Sequence, residues 1–188
     1  MSKDSSMNLR MTVYAALFTA LIIIGGYLSV PIPVGPVPIV LADFFVMVTG
    51  LFLGKKWGLS SVVLYIFLGA IGLPVYASGK AGLAVLFGPT GGFLFGYLAL
   101  VFAIGFISGM GKPSLLKNMT ALIIGNIFLY VFGVPWLKVV MHLTWGKALA
   151  AGLIPFIPGI IIKIIVALAL AQILMPQFKR TITPTQQS

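Results

Sequence analysis

Ile154-Pro-Phe-Ile-Pro-Gly-Ile-Ile-Ile-Lys163-Ile-Ile-Val-Ala-Leu-Ala-Leu170 places one cation in the middle of the otherwise uncharged stretch 148–178. That stretch is long and apolar enough to cross a bilayer, which takes about 20 apolar residues in a helix. A lysine at the centre of such a helix costs roughly 2.5–3.5 kcal/mol on insertion scales, so it is expected to pair with an anion or to serve a ligand. A third reading is that its long stem carries the ammonium back to the interface. Pro155, Pro158 and Gly159 oppose helix further upstream, whereas proline suits a first helical position, so the helix is expected to start near Pro158. Lys163 then lies about one and a half turns inside, roughly 7 Å at 1.5 Å per residue. The free amides of that first turn favour an anion at the same depth.

The remaining composition agrees with a membrane setting. The 188 residues are 60% hydrophobic and 7% charged, with a mean hydropathy of +1.16, well outside soluble-domain usage. The reading is an all-α, polytopic membrane protein forming a single integral membrane domain over 1–188. Six transmembrane helices are expected near 11–30, 39–54, 57–73, 90–111, 118–137 and 156–176, with a disordered tail at 181–188. The short polar start leads into a span too long for a signal-peptide core, so the first span is expected to be retained. The absence of cysteine excludes disulfides, thiolate metal sites and cysteine nucleophiles. A net charge of +10 in such a chain points to topogenic loops before nucleic acid.

Counting basic residues by alternate connections gives Lys3, Arg10, Lys55, Lys56, Lys112, Lys117, Lys179 and Arg180 on one side against Lys80, Lys138 and Lys147 on the other. The richer side is expected to be cytoplasmic, with both termini on it. Two irregular connections then fall together outside. Pro31-Ile-Pro-Val-Gly-Pro-Val-Pro38 cannot continue a helix, because its prolines lack amide donors and restrict the residues before them. The segment 72–92 is glycine-rich yet apolar, which suits packing over a cavity better than a surface loop. Structured Pro/Gly-rich outer loops over an outward-facing pocket are the expectation, with a plain membrane-surface loop as the alternative.

Asp43, in Leu41-Ala-Asp-Phe-Phe, is the one acid within a predicted span. It stands at a depth comparable to Lys163, so an Asp43–Lys163 ion pair is the internal rival to ligand binding, and the two roles can coexist if the pair opens. An enzyme is not expected: one histidine and two distant aspartates supply neither a nucleophile with its base nor a carboxylate pair, and no metal cluster. Gly50-Leu-Phe-Leu-Gly-Lys-Lys56 has the wrong spacing for a nucleotide-binding loop and lacks its hydroxyl. Trp57, Trp136 and Trp145 read as interface aromatics, Asn118 and Asn126 as interhelical bridges, and Ser60 and Ser61 as capping or packing groups.

The loop 31–39, Leu68-Gly-Ala-Ile-Gly-Leu-Pro-Val-Tyr76, Gly88-Pro-Thr-Gly-Gly-Phe-Leu-Phe-Gly96, Gly133-Val-Pro-Trp136 and Pro155-Phe-Ile-Pro-Gly159 with Lys163 follow one another in an order that resembles the BioY family. These are biotin-specific S components of energy-coupling factor (ECF) transporters. The resemblance implies capture of biotin outside the cell membrane and work with a transmembrane coupling subunit and two cytosolic ATPases; no cofactor is implied. It also implies that Ala16 and Ala20, spaced as Ala-x-x-x-Ala, dock the coupling subunit, although small residues at this spacing also serve internal packing. The substrate-binding residues it suggests are Lys163, Asp43, Tyr76, Gly79, Gly82, Leu83, Gly88 and Val34. Biotin would ask for a cation or amides at its carboxylate, donors and acceptors at its ureido ring, and an apolar wall.

The sequence departs from the family pattern at one telling place. The glycine of the Pro-Phe-x-Pro-Gly element is ordinarily followed by an aspartate three residues before the lysine, and here Ile160 stands there. Ser78 and Gly79 likewise offer little side-chain amide. A membrane protein that keeps the S-component fold with weak or no biotin binding, or one specific for another small anionic ligand, is therefore the alternative reading.

Overall fold

The computed structural model describes residues 3–33, 35–110 and 114–182. Seven α-helices follow in chain order: α1 (Lys3–Tyr27), α2 (Ala42–Ala70), α3 (Leu83–Leu86), α4 (Gly91–Gly109), α5 (Leu115–Val140), α6 (Trp145–Gly152) and α7 (Ile157–Ile182). Five helical stretches are long and apolar enough to cross a membrane: Met7–Tyr27, Ala42–Ala70, Gly91–Gly109, Leu115–Val140 and Trp145–Phe178.

The second of these is folded on itself. Gly54 has φ 68° and ψ −172°, a backbone region open essentially to glycine alone. A Cβ placed at Gly58 would come within 3.7 Å of the Gly50 Cα, whereas eight residues of straight helix would separate them by roughly 12 Å. Ala42 and Tyr65 also line one cavity. So α2 is a helical hairpin with limbs 42–53 and 55–70.

Helix α1 stops at Tyr27, short of the expected residue 30, because Ser29 and Val30 pair antiparallel with Val40 and Ile39 as strands β1 (Ser29–Val30) and β2 (Ile39–Val40). The proline-rich connection is thereby closed into a hairpin. Helix α5 runs through Pro135 to Val140, and α7 through Pro176 to Ile182. Residues 181 and 182, expected in a disordered tail, are helical; 183–188 lie outside the described residues. Helix α6 was not expected from the sequence. It is capped by the Thr144 hydroxyl, which accepts from the Lys147 amide at 3.4 Å.

Packing between helices is set by small residues. Cβ atoms built at Gly50 and Gly125 would sit 2.9 and 2.7 Å from Ile104, and one at Gly105 would sit 2.3 Å from the Lys55 backbone nitrogen. Such close approach holds α4 between α2 and α5. Helix α1 is tied to α2 by hydroxyls: Ser61 Oγ donates to the Ala15 carbonyl and Thr19 Oγ1 to the Ser61 carbonyl, both at 3.0 Å. Ser61 therefore bridges helices, whereas Ser60 bonds within its own helix, to the Lys56 carbonyl.

One end of the bundle gathers the two irregular connections. Ser29 Oγ and Ser78 Oγ lie 2.7 Å apart, and Tyr27 Oη donates to the Pro74 carbonyl. Gly35 packs against Ala151 of α6. At the opposite end the Phe178 ring meets Tyr14 at 4.9 Å and Phe52 at 5.4 Å, so the start of α1 and the late part of α7 share a face.

Candidate binding site

Asp43 falls in the first turn of α2, where unpaired amides and the helix dipole favour a carboxylate. Lys163, seven residues from the start of Ile157–Ile182, reaches it from α7. Its Nζ donates to Asp43 Oδ1 at 2.8 Å, to Oδ2 at 2.9 Å and to the Val40 carbonyl at 2.7 Å. The three protons of the ammonium are thus all engaged. With Lys163 8% and Asp43 6% exposed, the lysine does not run back to the interface. Of the readings of Lys163, the structure shows the ion pair and not the run back to the interface. It also fastens α7 to α2 and, through Val40, to the strand that ends the proline-rich connection.

Two small cavities meet here. One, of about 40 Å³, is lined by Asp43 and Lys163 together with Tyr97, Leu129, Tyr130 and Phe156. The other, of about 50 Å³, is lined by Tyr65, Tyr76, Ala77, Lys80, Val85 and Thr90 among others. Val37, Pro38, Val40, Phe93 and Tyr97 belong to both. Six aromatic rings contribute to the wall: Tyr65 lies 5.6 Å from Tyr76 and 6.5 Å from Tyr97, and Tyr130 lies 6.0 Å from Phe93 and 6.3 Å from Phe156. The site therefore offers the ammonium groups of Lys163 and, in the second cavity, Lys80, with one carboxylate, phenolic hydroxyls and apolar faces, suited to a small ring compound with a few polar groups.

Of the residues singled out in the sequence, Lys163, Asp43 and Tyr76 come together around these cavities. Tyr76 is buried, its Oη donating to the Ile66 carbonyl at 2.7 Å, and its ring fills the space a Cβ on Gly69 would need. Gly79, Gly82, Leu83 and Gly88 shape the 72–92 connection and are not among the described lining residues. Gly82 caps α3 with φ 89°, Leu83 is exposed, and the Gly88 carbonyl accepts from Trp136 Nε1 at 2.9 Å. Trp136 is thus a clamp on this connection rather than a plain interface aromatic. Val34 lies outside the described residues. Ala16 and Ala20 are on the exposed face of α1, while Ala15, Thr19 and Ile22 turn inward. Asn126 donates to the Leu122 carbonyl on its own helix at 2.8 Å and to Met47 Sδ across the bundle at 3.6 Å; its Oδ1 has no partner.

Sequence reasoning missed Val40, Phe93, Tyr97, Tyr130 and Phe156. Four are aromatics inside apolar runs, where they read as core. The hydroxyls of Tyr97 and Tyr130 within otherwise apolar helices were the available signal.

Fold and site define a multi-pass helical membrane protein that holds a buried lysine–carboxylate pair beneath two interlocked connections. Comparison with known proteins gives the family. The BioY family profile matches residues 1–180, and the chain belongs to the BioY family. It is 40% identical over 163 residues to the biotin transporter BioY of Thermotoga maritima, covering 87% of this chain and 94% of that one. It is 38% identical over 179 residues to the biotin transporter BioY of Rhizobium etli, covering 90% and 95%. Among solved structures it matches the S component for biotin from an ECF-type ABC transporter, with a TM-score of 0.85, 32% identity, and coverage of 97% of this chain and all of that one.

Proposed function

We propose that this chain captures biotin at the Lys163–Asp43 pair and serves as the substrate-binding component of an ECF-type vitamin transporter. The observation that carries the reading is the buried ammonium held between α7, α2 and the proline-rich connection, in a chain of the BioY family. Lys163 is the cation for a polar end of the ligand. Asp43 supplies from α2 the carboxylate that Ile160 cannot supply from α7. A urea presents two N–H donors and one carbonyl acceptor, and a lysine–aspartate pair presents their complement.

A ligand pocket ordinarily measures about 300–1,000 Å³, against about 50 and 40 Å³ for the two cavities here. Binding therefore includes displacement of the 31–40 connection, which borders both through Val37, Pro38 and Val40, and exchange of the Val40 carbonyl on Lys163 for a ligand atom.

The hairpin of α2 turns five long apolar stretches into six crossings. The end bearing Lys55, Lys56 and Lys117 is cytoplasmic by its basic excess, which puts both termini inside the cell membrane and the two connections outside. Uptake needs a coupling subunit and two cytosolic ATPases as partners. The exposed Ala16 and Ala20 offer a close-approach face for the coupling subunit.

The test is equilibrium binding of biotin to detergent-purified protein, beside Lys163→Ala and with the primary amide of biotin as a second ligand. Binding lost in the variant supports the site; a further loss for the amide assigns Lys163 to the carboxylate, and equal binding of both ligands assigns it to the ureido end. Failure of the folded wild-type chain to bind biotin would overturn the reading.

A further inference from the structure

A large cavity among the described residues is separate from the ion pair. A groove of about 530 Å³ runs between α5, α6 and α7, with Ile127, Val131, Leu149 and Ile160 among its lining residues. Tyr130 stands between it and the ion-pair cavity, touching both. Its lining on α5 extends from Ile123 to Pro135, roughly 18 Å along the helix. One leaflet of a bilayer's hydrocarbon core is about 15 Å deep. The groove is therefore somewhat longer than one leaflet is deep, crosses the middle of α5, and is shorter than the full core. A crossing helix of a partner would need the full core of about 30 Å.

The mouth of the groove is differently built. Trp145 lines it and is exposed, with Lys138 Nζ 5.2 Å from its ring centroid. Lys147 stands exposed two residues further along α6. An aromatic ring and two ammonium groups at the mouth of an apolar channel match an anionic headgroup with an acyl chain below it. Asn126 also lines the groove, and its Oδ1 is buried without a hydrogen-bond partner.

We propose that this groove holds one acyl chain of an anionic phospholipid from the leaflet that Lys138 and Lys147 face. The lipid completes the thin seam between α5 and α7 and backs Tyr130, so its presence stiffens the wall of the ion-pair cavity.

The experiment is native mass spectrometry of the full chain released from vesicles of equal parts phosphatidylglycerol and phosphatidylcholine. The expected result is one retained phosphatidylglycerol, favoured about tenfold or more over phosphatidylcholine. Lys138→Gln with Lys147→Gln, both surface changes, should abolish that preference, and Leu149→Trp, which fills the groove, should expel the lipid. Thermal unfolding of each variant shows whether it is folded. Retention of no lipid by the wild type, equal retention of both lipids, or a second copy of the chain in place of lipid would overturn the proposal.

Discussion

Helices α4 and α7 are both apolar enough to cross a membrane, yet they are held in opposite ways. In α4, 61% of the most apolar window is buried, against 17% for the stretch that contains α7. Glycines let α4 sit directly against its neighbours' backbones, so its place is fixed by close packing along its length. Helix α7 buries Ala167 and Ala171 in the core and is pinned besides at the Lys163–Asp43 pair near one end and the Phe178 cluster near the other. A helix held by packing has one position; a helix held by an ion pair is released when another group takes the lysine. In the proposed reading, α7 and the 31–40 connection are the movable wall of the site, with α4 as the fixed frame.

The strongest test of this contrast is to cut one pin. Lys163→Ala or Asp43→Ala leaves the other charge buried and alone, at an expected loss of about 3–5 kcal/mol. Replacing both, as Lys163→Met with Asp43→Asn, should recover much of that loss, because two desolvation costs vanish together. Chemical unfolding in detergent would show it. If the double variant were as unstable as the singles added together, α7 would not depend on the pair in the way described.

The frame should break by the opposite change. Gly92→Ala adds a Cβ about 2.2 Å from the Trp136 Cβ, so overpacking there should cost roughly 1–3 kcal/mol. Gly54→Ala should cost a similar or slightly smaller amount, about 1–3 kcal/mol, through backbone strain at the hairpin turn alone, since nothing lies within 4 Å of its Cβ position. Equal stability of Gly54→Ala and wild type would mean that the turn tolerates a side chain. The smallest effect is expected for Trp136→Phe, which removes the bond to the Gly88 carbonyl and should cost about 1 kcal/mol, with faster hydrogen exchange confined to residues near 88.

The pin was legible in the sequence because charge is scarce: a lysine and an aspartate inside apolar spans had few other partners to choose from. The break at Gly54-Lys-Lys was legible for the same reason. What surrounds the pair was not. Tyr97 and Tyr130 sit in the apolar runs 93–107 and 127–137, where a phenol reads first as core and only its hydroxyl marks it out. Nor does Val40, which enters the site through its carbonyl, a group every residue carries. Glycines 79, 82 and 88 drew notice because glycine permits close approach, but in the 72–92 connection they serve its turns and its clamp. Ala16 and Ala20 carried two readings at one spacing, and only the fold could show that they face outward.

A structure of the protein with biotin bound tests the central claim most directly. The account predicts biotin between α7, α2 and the 31–40 connection, with a polar atom of the ligand at hydrogen-bonding distance from Lys163 Nζ in place of the Val40 carbonyl. Biotin found elsewhere, with Lys163 still bound to Asp43 and Val40 as in the ligand-free chain, would contradict it.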